Sequence, residues 1–156
     1  MIEENPTGIA ESLFKEFIQT KHCRLPECVP EEPAVVAKIR LYQFASLMLA
    51  ILNEEQTKPS YALVRGHLER LFGFSLSPDE KGVKLLTDVR YAMSDLSDLL
   101  ILISRENPAP FTWSLRWLAS IGVDENNPAK LVLFSLNWIE YYKAVVDSLR
   151  EITPVA

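Results

Sequence analysis

Two cysteines, two histidines and five glycines are all that this 156-residue chain offers of the residues that most often mark catalytic or ligand-binding motifs. The glycines are scattered singly, so there is no Gly-x-Gly-x-x-Gly or Gly-Lys-Ser loop to cradle a phosphate. His22 and His67 stand in a linker and a charged segment, and no Gly-x-Ser-x-Gly turn occurs. Nothing therefore recommends a Ser–His or Cys–His nucleophile. Basic residues are outnumbered, 16 Lys and Arg against 21 Asp and Glu for a net charge of −5. Without a basic run to neutralise phosphates, a nucleic-acid partner is not expected. The longest uncharged apolar run, Leu41–Leu52, is shorter than the roughly 18 residues of a membrane span. The opening "MIEENPTGIAES" lacks the basic-then-apolar order of a secretory signal. These features predict a cytoplasmic protein with no membrane span, and the paucity of cysteine fits a reducing compartment.

The stretch "KHCRLPEC" places His22, Cys23 and Cys28 close together. A structural zinc site needs four ligands. Here that would require His22, Cys23, Cys28 and the distant His67 to converge. No metal and no cofactor is expected, and the sulfurs are expected to pack against the fold, with a reversible disulfide as the second reading.

What the chain does have is apolar residues: 48% hydrophobic against 24% charged. A chain of this length buries roughly two-thirds of its unfolded surface without help from disulfides or metals, so residues 1–156 read as one domain. The apolar spacing is helical. Leu85, Val89, Ala92, Leu96, Leu99 and Ile103 recur at steps of four and three, as do Leu131, Phe134, Trp138, Tyr141, Val145 and Leu149. Prolines stand where helices begin, most clearly in "SPDE" (Ser77 cap, Pro78, Glu80) and "NNPAK" (Asn127 cap, Pro128). Gly73 and Gly122 suit the left-handed residue just past a helix end. The pattern predicts an all-α, elongated helical bundle with helices over 6–20, 33–54, 59–72, 78–105, 110–121 and 128–151. Three or four long helices pack antiparallel, and the short first and fifth lie across them.

The second helix is apolar around most of its circumference, with a thin polar stripe of Arg40, Gln43, Ser46 and Asn53. Such a helix is the centre of the bundle or lends a face to another chain. On the fourth helix, Asp88, Asp95 and Asp98 line one stripe near Lys84, Tyr91 and Arg105. A charged stripe opposite an apolar one is ordinarily the solvated face. The alternatives are a structural ion pair, with Arg90 or Arg65, and a divalent-metal hydrolase site that a facing helix completes through Glu69 or Glu140. On the fifth helix Trp113 and Trp117 share a face beside Arg116, while Phe111, Leu115 and Leu118 form another apolar side. Tryptophans at this spacing usually anchor a helix to its own core. Trp and Arg are also the residues enriched at binding hot spots, so Phe111, Trp113, Arg116 and Trp117 are the candidate partner-binding residues. With Trp138, Tyr141 and Tyr142 they form a thick core or line a cavity for an apolar small molecule.

The sequence thus favours a non-enzymatic interaction protein (an adaptor, accessory subunit or chaperone, partnered by another protein or by its own copy). The metal-dependent hydrolase and the apolar-ligand binder are the alternatives.

Overall fold

The computed structural model describes residues 6–20, 32–56, 58–72, 80–102, 109–124 and 126–152. The Cys23–Cys28 stretch, Gly73, the Ser77–Pro78 cap, Ile103 and the Phe111 side chain fall outside them. The fold is an all-α bundle of six helices: α1 (Pro6–Phe14), α2 (Pro33–Glu55), α3 (Tyr61–Phe72), α4 (Glu80–Leu102), α5 (Ala109–Ala119) and α6 (Pro128–Ile152). No strand occurs among the described residues.

The predicted first helix divides. It is α-helical to Phe14 and then widens into a π-helical turn, Lys15–Thr20. A helix leaves its last carbonyls without intrahelical partners, and here distant side chains supply them. The Tyr141 hydroxyl donates to the Phe17 carbonyl at 2.5 Å, and the Arg40 guanidinium donates to that of Ile18 at 2.8 Å. Phe17 and Ile18 are themselves buried, so the wide turn is fastened on both counts.

Helix boundaries follow local chemistry. Asn127 caps α6, its side-chain oxygen accepting from the Ala129 N–H at 3.0 Å, with Pro128 at the first helical position. Past α5, Gly122 takes φ +83°. The Gly122 N–H bonds to Ala119 O at 3.0 Å and the Val123 N–H to Leu118 O at 2.9 Å. That pair of bonds is a Schellman motif, which requires a left-handed residue at the glycine position. The third helix starts two residues later than predicted, at Tyr61, because Lys58, Pro59 and Ser60 form a tight turn of i→i+3 bonds first.

α2 is the central helix. It packs on α3, α4, α6 and the π turn, while α1 packs on α3, and α5 on α6 and α4. Half of its polar stripe is buried and the rest is hydrogen-bonded. Gln43 and Ser46 are buried, Ser46 bonds back to the Tyr42 carbonyl, Arg40 reaches Ile18, and Asn53 donates to the Tyr142 hydroxyl at 2.9 Å. By length and composition alone α2 is apolar enough to cross a membrane, a property the count of uncharged residues had missed. In the bundle most of that apolar stretch is buried against neighbouring helices. On α4, Val89, Ala92, Leu96 and Leu99 are buried, and on α6 so is the whole stripe from Leu131 to Leu149.

Candidate functional site

Both tryptophans of α5 point inward. Trp113 and Trp117 are 3% and 2% exposed, and Trp138 of α6 is 1% exposed. Their hub is Tyr42 of α2, whose ring lies 6.3 Å from Trp113, 5.5 Å from Trp117 and 5.7 Å from Trp138. Phe134 fills the space among the three indoles, and the cluster runs on through Tyr141 to Phe17. The crossings are mostly edge-on or tilted, the arrangements ring quadrupoles favour. These rings make a thick core, and in this conformation the indoles present no surface to a partner. Of the four residues proposed for partner binding, only Arg116, with a side chain 53% exposed, reaches solvent among those whose side chains are described.

The acidic stripe of α4 also departs from expectation. Asp98 is exposed and Asp88 half-buried, but Asp95 is 6% exposed. The cause is α5, which crosses α4 at this level and covers the carboxylate. Asp95 Oδ2 accepts from the Tyr42 hydroxyl at 2.6 Å. Its Oδ1 accepts from the Trp113 indole N–H at 3.0 Å and from Arg116 at 2.5 Å. A buried carboxylate is tolerable only when paired and hydrogen-bonded, and here both oxygens are. The pair is Asp95 with Arg116, where the sequence had suggested Arg90 or Arg65. Arg65 bridges Glu55 at 2.7 Å and Glu69 at 3.3 Å instead. Asp88, Asp95 and Asp98 do not converge, and no three His, Cys, Asp or Glu among the described residues are grouped to hold a metal.

Around this carboxylate lie two more groups that sequence reasoning missed. Lys38 of α2 donates to the Ser120 hydroxyl and sits 4.9 Å above the Trp117 ring. Burial lowers the Lys38 pKa, Asp95 opposes that, and Arg116 adds to the lowering. Tyr42 has its phenol pushed far above the ordinary range, first by burial and then by its bond to Asp95. Trp113 is thus fixed by hydrogen bonding as well as packing. The indole N–H groups of Trp117 and Trp138 meet no acceptor among the described residues.

Two features of the described surface lie apart from this cluster. His67 is half-buried and bonds to the Thr7 hydroxyl at 3.1 Å, beside a shallow groove of about 170 Å³ lined by Thr7, Glu11, Arg70 and Leu71. The first half of α6 is the other. Val132, Leu133 and Leu136 are 41%, 51% and 41% exposed, with exposed Ala129 one turn before them. Their spacing of one, three and four residues puts them on one helix face. Further along, Glu140, Lys143 and Asp147 occupy the exposed positions and the face becomes charged. Neither a family model, nor a curated protein, nor a solved structure matches this chain.

Proposed function

We propose that this protein is a non-enzymatic interaction module of the cytoplasm, which docks an apolar helix of another chain or of its own copy. The observation that carries the reading is the apolar half-face of α6, where Ala129, Val132, Leu133 and Leu136 are exposed together. Isolated exposed leucines need no explanation, but a contiguous group ending in a charged rim has the anatomy of a docking surface. Helix-in-groove recognition uses anchors at this spacing. Leu115 of α5 and Leu63 of α3 are exposed as well. Trp113 and Trp117, proposed from sequence, serve this reading indirectly, as part of the core against which α6 packs. The hydrolase alternative draws no support from the acidic stripe, because the Asp95 oxygens are already taken up by Tyr42, Trp113 and Arg116.

The test pairs sedimentation with photocrosslinking. Leu133→Asp with Leu136→Asp should leave thermal stability nearly unchanged, since both side chains are exposed, and should abolish association seen in the wild-type chain. A photoreactive residue at position 133 should crosslink a discrete protein in cells, and one at position 143 should not. A wild-type chain that stays monomeric at high concentration and gives no product from position 133 would refute the proposal.

A further inference from the structure

We propose that the surface beside the end of α5, where the Lys38 ammonium is held on Ser120 one turn from the Asp95-bound Arg116, binds the oxyanion group (a carboxylate or a phosphate) of a small molecule. The site is independent of the α6 face. Arg116 and Ser120 stand one turn apart on the exposed side of the α5 end. Side chains at that spacing are neighbours, with about 6 Å between their Cβ atoms. Ser120 donates to the Trp117 carbonyl at 2.5 Å, which leaves its oxygen to accept from Lys38 and holds the ammonium beside the helix. Lys38 is thus anchored to a residue one turn from Arg116, which brings a second cation to the same end of α5.

The charge balance points the same way. Among the described residues, Asp95 is the carboxylate that acts on both Lys38 and Arg116, in a chain whose net charge is −5. Asp95 is buried, while Arg116 and Tyr91, whose hydroxyl lies 3.3 Å from the guanidinium, face solvent. A guanidinium carries five N–H donors and an ammonium three. The described contacts occupy two on Arg116 and one on Lys38. Burial and the neighbouring guanidinium both disfavour the charged Lys38, and an incoming anion would relieve that cost. A planar guanidinium beside a compact ammonium is a pairing suited to carboxylate and phosphate oxygens alike.

The whole chain is titrated with sodium phosphate, sodium acetate and, at matched ionic strength, sodium chloride, with tryptophan fluorescence and backbone amide NMR shifts as readouts. Saturable changes confined to Lys38, Tyr91, Arg116 and Ser120, absent with chloride, are expected, and the tighter of the two anions names the ligand's charged group. Lys38→Met, which leaves the Asp95–Arg116 pair in place, should weaken binding about tenfold. Arg116→Lys should fall between it and the wild type. Shifts that grow linearly, match those of chloride, or persist undiminished in a folded Lys38→Met variant would overturn the assignment.

Discussion

Tyr42 and Asp95 face each other across the interior, phenol oxygen to carboxylate oxygen at 2.6 Å, and join the central helix to α4. A hydrogen bond to a buried charge is worth more than one between neutral groups, about 1.5–3 kcal/mol. Tyr42→Phe keeps the ring and its edge contacts with three tryptophans but removes the donor. Urea unfolding at pH 7 should show a loss in that range with an unchanged m-value.

The same phenol sets an alkaline limit. Its folded pKa lies above the unfolded value of about 10. The stabilisation is therefore fully present below about pH 10 and falls away as pH rises beyond it. Lys38 has the opposite sign: its folded pKa is lowered, so its unfavourable contribution is relieved as pH rises toward the unfolded value. Lys38 is common to both chains, so the wild-type minus Tyr42→Phe difference isolates Tyr42. That difference should be flat from pH 7 to 9 and shrink above pH 10. A difference that grows with alkalinity contradicts the burial of this phenol.

Removing the Asp95 carboxylate leaves the Tyr42 hydroxyl without its acceptor and the Trp113 N–H with only the backbone carbonyl of residue 95, at 3.2 Å. Asp95→Ala should cost about 1–3 kcal/mol, the range for leaving a buried donor unsatisfied. Asp95→Asn should cost less, because an amide oxygen still accepts and the half-exposed Arg116 returns to water. Chemical denaturation of the two variants side by side checks the order.

All three tryptophans are nearly inaccessible. Their emission should be blue-shifted and resist iodide quenching until denaturant unfolds the chain. Strong quenching in the native state would contradict the inward placement of Trp113 and Trp117.

A Cβ at Gly122 would meet open space, so only the backbone conformation resists substitution. Gly122→Ala should cost about 1 kcal/mol and Gly122→Asn less, since Asn tolerates the left-handed region better. Thermal melts of the two variants give the comparison.

Features set by residues near in sequence are legible in the sequence itself. The Gly122 stop, the Asn127 cap and the buried stripes of α4 and α6 each depend on a handful of adjacent positions. The bonding of Asp95 is not, because its burial depends on α5 packing over α4 and its partners come from positions 42, 113 and 116. By periodicity Asp95 sits with Asp98 on a polar stripe, and only the crossing separates the buried acid from the exposed one. Gln43 and Ser46 of α2 misled for the same reason: over residues 42–48 the helix is covered on every side, so a polar residue there is buried whichever way it points. Lys38 carried no local signal, since its environment is built by Trp117 and Ser120 from the far end of the chain.

The wide turn at Lys15–Thr20 carries a consequence for assembly of the fold. Its carbonyls at Phe17 and Ile18 are held by side chains that arrive 124 and 22 residues later in the chain. An excised peptide of residues 6–20 would have neither fastening and no reason to keep the shape. The wide turn therefore depends on α2 and α6 being packed beside it, and not on its own residues alone.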